Sequence, residues 1–183
     1  MKRNLYGFLV LVSLGILPLT CFALQQGIAA SYGNGWIYQS NPQGVTGYDF
    51  AYNLHPDSWT WNNFTLDLDF NIGHWHTGAY SENNDITTYG IAPVLRWYFL
   101  GPKVITPFLQ GSIGGAWLSS DYFGPRALGS HLLFQDMGGL GIAFGAHQNF
   151  YLTIQSLHYS NANIASHNSG FSVPCMISLG YQF

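Results

Sequence analysis

Phe64-Thr65-Leu66-Asp67-Leu68-Asp69-Phe70-Asn71-Ile72 alternates apolar and polar residues without a break. Successive side chains of an extended chain point to opposite faces. Phe64, Leu66, Leu68, Phe70 and Ile72 therefore share one face, and Thr65, Asp67, Asp69 and Asn71 the other. A strand of a water-soluble sandwich carries the same pattern, so this segment alone does not separate that fold from a membrane barrel. The pattern recurs, less cleanly, further on. Tyr89, Ile91, Pro93, Leu95, Trp97 and Phe99 oppose Gly90, Ala92 and Arg96, and Ile105, Leu109, Ile113 and Trp117 face away from Thr106, Gln110 and Ser112.

Composition separates the two folds. Only 7% of the residues are charged, against about 25% in ordinary soluble domains. Aromatic residues make up 17%, and they are favoured where lipid meets water. Beyond the N-terminal segment there is no run of about 20 apolar residues, which excludes a helical span. A closed β-barrel is the other way to satisfy every backbone group inside a bilayer. The spacing predicts eight antiparallel strands, over 27–38, 45–55, 60–76, 86–100, 104–119, 130–146, 149–161 and 171–183. Connections such as Ser81-Glu82-Asn83-Asn84-Asp85 and Leu100-Gly101-Pro102-Lys103 separate them. An even strand count puts both chain ends on the periplasmic side. Gly111, Gly114, Gly115, Gly138, Gly139 and Gly141, read as small-face positions, suit a narrow barrel whose interior holds side chains and not a pore. Trp36, Trp59, Trp61, Trp75, Trp97 and Trp117 are expected as interfacial anchors.

The start of the chain assigns the compartment. Met1-Lys2-Arg3-Asn4 is a short positive head, Leu5 to Leu19 an apolar core, and Thr20-Cys21-Phe22-Ala23 a small-residue end. That order predicts a secretory signal peptide over 1–23, leaving a barrel over 24–183. The remaining barrel holds three basic residues, Arg96, Lys103 and Arg126, against eight acidic ones, a formal charge of −5. No basic stripe is present to neutralise nucleic-acid phosphates. Cys175 is the one cysteine after the signal, so no intramolecular disulfide is expected. At the other end Cys175, Ile177, Leu179, Tyr181 and Phe183 alternate up to the chain terminus. This ending resembles the C-terminal signal of bacterial outer-membrane barrels.

Polar chemistry interrupts the apolar face of the seventh strand. Phe150, Leu152 and Ile154 begin a face that strict alternation continues through Ser156, His158 and Ser160. Polar groups on a lipid face are costly unless they lie at the interface or perform a task. Residues two apart on a strand stand about 6.5–7 Å apart at Cα, close enough for an imidazole to activate a hydroxyl as a general base does for a serine nucleophile. A polar extracellular rim explains the same two residues. In the sixth strand Leu132, Phe134, Gly138, Leu140, Ile142 and Phe144 share a face with Asp136. Pairing the two strands about His147 sets Phe144 opposite Phe150 and Asp136 opposite His158. Asp136 is thus a candidate to hold the imidazole, and a one-residue bulge would turn it inward.

His158-Tyr159-Ser160-Asn161-Ala162-Asn163-Ile164, followed by Asn168-Ser169-Gly170, resembles the C-terminal signature of the PagL family of lipid A 3-O-deacylases. The resemblance implies an eight-stranded outer-membrane barrel with a serine-esterase site on its lipid-facing side. It makes Ser160 the nucleophile and His158 the base, with no cofactor. Asn161 and Asn168 match family asparagines beside the site, as orienting or oxyanion-stabilising groups. It also leads to the expectation of an acidic residue fourteen positions after the histidine, where this chain has Ser172. The implied substrate is lipopolysaccharide, through its ester-linked 3-hydroxyacyl chain, and three basic residues are few to meet the phosphates of lipid A. A non-enzymatic barrel (adhesin, narrow channel or structural protein) and a lipid A acyltransferase are the alternatives. His74-Trp75-His76 puts two imidazoles on one strand face, but no third ligand is marked nearby in the sequence, so no metal site is expected.

Overall fold

The computed structural model describes residues 24–34, 44–78, 82–100, 104–167 and 169–183. The expected signal peptide, Trp36, Lys103 and Asn168 lie outside these residues. Eight long strands form: β1 (Leu24–Asn34), β2 (Val45–Pro56), β3 (Phe64–Thr77), β4 (Asp85–Tyr98), β5 (Ile105–Leu118), β6 (Leu132–Phe144), β7 (Phe150–Ser160) and β8 (Phe171–Gln182). Each pairs antiparallel with its chain neighbours. β1 also pairs with β8, from Gly27 opposite Gln182 to Gly33 opposite Met176, and this closes the barrel. Closure leaves no sheet edge unpaired, which is what allows strands to cross hydrocarbon.

The third strand starts later than the periodicity predicts. The chain turns at Asn62 in the left-handed region (φ 52°), and Thr60–Trp61 folds back on Phe64–Thr65. Connections at the end holding the termini are short: 57–63, 99–104 and 145–149. Those at the other end, 35–44, 78–84, 119–131 and 161–170, are mostly longer. Short turns mark the periplasmic end of such barrels and longer loops the extracellular end.

The outer wall is apolar, with Ile113 71% and Ile154 61% exposed, values suited to contact with lipid chains. Exposed Tyr32, Tyr48, Tyr89 and Trp117 ring the extracellular side, and Trp61, Phe64, Trp97, Phe150 and Tyr181 the periplasmic side. These are the two aromatic girdles of a membrane barrel.

The lumen is filled. Asn71 Nδ2 donates to Asp49 at 2.8 Å, Asn53 Nδ2 to Asp69 at 2.6 Å and Gln110 Nε2 to Gln155 at 2.6 Å, while Arg96 is ion-paired to Asp67. The mid-barrel void they line is about 40 Å³, room for a water or two and not for a solute path.

Two expectations about the wall are corrected. Trp75 is an interior plug, fully buried in the extracellular half, and not an interfacial anchor. It fits because Gly33, Gly47 and Gly73 leave it space: a Cβ on Gly47 would stand 2.0 Å from the His74 carbonyl oxygen and 2.8 Å from Trp75 Cε3. The small residues also divide between the faces. Gly114, Gly139 and Gly141 point inward against Ala92, Gln155 and Phe108, but Gly111, Gly115 and Gly138 lie on the outer face. Because His74 backbone cannot swing away, Gly47→Ala is expected to destabilise the barrel by about 1–3 kcal/mol, read as a lower urea midpoint for unfolding from detergent.

Candidate active site

β7 brings the chemistry to the extracellular rim. Leu157, Tyr159 and Asn161 are buried inward, while His158 and Ser160 are half-buried on the lipid face. Tyr159 fixes the strand end between them: its ring stacks on Phe171 at 4.7 Å and its hydroxyl meets Thr88 Oγ1 at 3.2 Å. The pairing of β6 with β7 follows the expected register without a bulge. Phe144 stands opposite Phe150, Ile142 opposite Leu152, Leu140 opposite Ile154 and Asp136 opposite His158. Asp136 lies half-buried on the same outer face.

The imidazole is nevertheless held from the other side. His158 Nδ1 is hydrogen-bonded to Ser172 Oγ at 2.8 Å, and among the described residues no hydrogen bond or ion pair joins it to Asp136. Ser172 reaches it because of a bulge. The β7–β8 register runs from Gln155 opposite Met176 to Leu157 opposite Val173, so Pro174 and Cys175 together face Ser156. Pro174 has no N–H to give a ladder, and an extra residue there re-aims the side chains beyond it. Met176 and Ser178 point inward; unbroken alternation would send Ser172 into the lumen. With the bulge, Phe171 and Val173 are the buried ones and Ser172 faces outward.

Gly170 forms the floor beside the pair. It has a left-handed backbone (φ 51°), and a Cβ there would lie 2.7 Å from the Tyr159 carbonyl oxygen, 3.4 Å from His158 Cε1 and 3.6 Å from Ser160 Cβ. The imidazole edge and the serine side chain thus converge on the space that this glycine leaves open.

Two extracellular loops clasp each other over this point. Asn161 Nδ2 donates to the Leu128 carbonyl at 2.9 Å, and Asn161 Oδ1 accepts the Asn163 N–H at 2.9 Å. Arg126 Nη1 donates to the Gly170 carbonyl at 2.9 Å, and Phe123 packs on Phe171 at 4.8 Å. The Asn161 amide is committed at both ends to loop structure. Asn168 lies outside the described residues.

Next to Ser160, which stands opposite Phe134, an apolar groove of about 610 Å³ runs along the outer wall. Tyr89, Ile91, Trp117, Leu132, Phe134 and Ile164 line it. Its floor includes Gly115, where a Cβ would meet nothing within 4 Å.

Elsewhere on the rim His74 and His76 do have a carboxylate nearby, one the sequence did not mark. Asp85 Oδ1 lies 2.9 Å from His76 Nδ1 and 3.7 Å from His74 Nε2 across the β3–β4 pair. Among the described residues no three such side chains are disposed to hold a metal.

A family model described as lipid A 3-O-deacylase (PagL) matches residues 46–182. The chain belongs to the PagL family. A curated relative, lipid A deacylase PagL of Pseudomonas aeruginosa, is 35% identical over 103 residues, covering 54% of this chain and 58% of that protein. The aligned part thus spans less than two thirds of that relative's length. The crystal structure of the outer membrane enzyme PagL superposes with a TM-score of 0.60 at 26% identity, covering 86% of this chain and 98% of the other. Neisserial surface protein A shares the fold alone, with a TM-score of 0.52 at 12% identity over 87% of this chain and 96% of the other. The group on the imidazole is Ser172, fourteen positions after His158, where the resemblance led to the expectation of an acidic residue. Sequence reasoning missed Gly170 and Arg126 because their partners are backbone atoms of distant segments.

Proposed function

We propose that the chain is a lipid A 3-O-deacylase, a carboxylic ester hydrolase that removes the ester-linked 3-hydroxyacyl chain of lipopolysaccharide in the outer membrane. The observation that carries this reading is the placement of His158 and Ser160 on the lipid face at the extracellular rim, converging beside Gly170. A substrate that is itself a membrane lipid reaches such a site without entering the barrel. The groove beside Ser160 suits its acyl chain, and the filled lumen argues against a channel.

The geometry supports an acyl-enzyme route. With Nδ1–H donating to Ser172 Oγ, the Nε2 lone pair of His158 is left to take the proton of Ser160. The serine oxygen attacks the ester carbonyl, the tetrahedral intermediate collapses, and the sugar oxygen leaves with the proton held by His158. Water, deprotonated by the same imidazole, then attacks the acyl-serine and releases the hydroxy acid. In this reading two residues share the work of one carboxylate. Ser172 orients the ring, and Asp136, within about 5 Å at Cβ by its register, offsets the imidazolium charge. Asn161 holds the loop that follows the nucleophile; Asn168 completes our set of proposed orienting or oxyanion-stabilising groups.

Incubating the purified barrel with lipopolysaccharide and weighing the lipid A tests the function. Loss of one hydroxyacyl chain is expected. A gain of an acyl group at another position would mean transfer, and an unchanged mass would mean a non-enzymatic barrel. Asp136→Asn is expected to lower kcat about two- to fivefold, the range of a half-exposed charge pair. Ser172→Glu in that background is expected to restore the rate, since it returns a carboxylate to the ring. A Ser172→Glu double variant no faster than Asp136→Asn alone would rule out the charge-offset role.

A further inference from the structure

Among the described residues Arg126 has no ion-pair partner. Its guanidinium is half-buried, and the one hydrogen bond it makes there is from Nη1–H to the Gly170 carbonyl at 2.9 Å. The ion pairs among the described residues are Arg96 with Asp67 and histidines with Asp67 or Asp85, none of them with Arg126. Arg96 is sealed in the lumen. Arg126 is therefore the one formally cationic side chain on the extracellular rim among the described residues. A guanidinium carries five N–H donors in a planar fork suited to phosphate oxygens, and one of them is spent here. Partial burial without a carboxylate costs free energy, which an incoming anion would recover.

Its position ties that vacancy to the reaction. The Gly170 that it grips is the residue against which His158 and Ser160 converge, and the short hairpin that carries it, Tyr122–Phe123 with Arg126–Ala127, is seated by the Phe123–Phe171 contact. We infer that Arg126 binds a phosphate monoester on the headgroup of the lipid substrate and so sets which ester is presented to Ser160. This rests on the deacylase reading and names a specificity-determining residue within it. Buried acyl chains supply affinity along the groove but no register. One fixed charge beside the nucleophile supplies a register, because charge-assisted forked hydrogen bonds are directional.

The test compares lipid A carrying its phosphates with the same lipid A after phosphatase treatment, both in neutral detergent micelles so that the substrate holds the only phosphate. The readout is the ratio of kcat/KM for the two. Arg126→Gln keeps a donor for the Gly170 carbonyl and removes the charge; it is expected to lower that ratio about ten- to a hundredfold, the worth of a hydrogen bond to a charged group. Arg126→Lys is expected to keep most of it. An Arg126→Gln ratio equal to the wild-type one overturns the inference, including the case where both rates fall together, since that is a purely positioning role. Dissociation constants for the two lipids, measured with Ser160→Ala and with Ser160→Ala/Arg126→Gln, report phosphate recognition without turnover. They separate failure here from failure of the hydrolase reading, which an inert wild-type barrel would signal.

Discussion

Ser160→Ala is expected to abolish release of hydroxy acid from lipopolysaccharide, lowering the rate by about four orders of magnitude or more, the usual consequence of removing a serine nucleophile. The barrel itself should be indifferent. Ser160 sits at the last position of β7, half-buried on the outer face, and its hydroxyl supports no lumen contact. Removing one oxygen from such a site changes stability by less than about 0.5 kcal/mol. Folded migration in gels and β content therefore stay as in the wild type while turnover disappears. A second readout identifies the role: acyl-serine trapped at Ser160 in the wild type by rapid acid quench, found by mass, and missing in the variant. A Ser160→Ala protein that still shortens lipid A would move the nucleophile elsewhere. His158→Ala should match its loss closely, because the two groups act as a unit and their effects do not add.

Much of the frame for this site is legible in the residues. Periodicity of two decides which side chains face lipid, and a five-residue turn after Phe144 leaves one antiparallel register for β6 and β7 that matches apolar to apolar. Asp136 opposite His158 follows from that register alone. Alternation fails at β8. Counting back from Leu179 and Ile177 puts Ser172 inside the barrel, and only the bulge at Pro174–Cys175 brings it out to the imidazole. A bulge adds no residue type that a pattern can detect; it shifts the phase of the pattern. Trp75 was misplaced for a related reason. Aromatic residues near strand ends serve either as anchors or as plugs. The choice depends on Gly33 and Gly47 in neighbouring strands, whose missing side chains make the room. Contacts made to backbone atoms, such as Arg126 to the Gly170 carbonyl, leave no trace in residue identity.

Gly170 carries no functional group, yet its substitution is expected to have the second large effect. Gly170→Val is expected to cost at least about a hundredfold in kcat, the scale on which a 1 Å displacement of a catalytic group is felt. Two effects combine. A residue with a Cβ pays about 1–2 kcal/mol to hold the left-handed backbone seen here. Its Cβ would also stand 2.7 Å from the Tyr159 carbonyl oxygen, a backbone atom of the strand that carries both reacting side chains. Relief requires moving the 161–170 loop off β7. That strains the Arg126 clasp and draws Ser172, two residues further on, away from His158 Nδ1. The valine methyl groups would add bulk beside His158 Cε1 and Ser160 Cβ, which lie 3.4 and 3.6 Å from the Cβ position. Gly170→Ala introduces the strain with less bulk and should fall between the two. KM is expected to rise as well, because the loop that moves carries Ile164 of the groove and anchors the Arg126 clasp. A Gly170→Val barrel that turns over at the wild-type rate would mean that imidazole and hydroxyl meet somewhere other than above this glycine, and the acyl-enzyme geometry would have to be rebuilt on a different face of the loop.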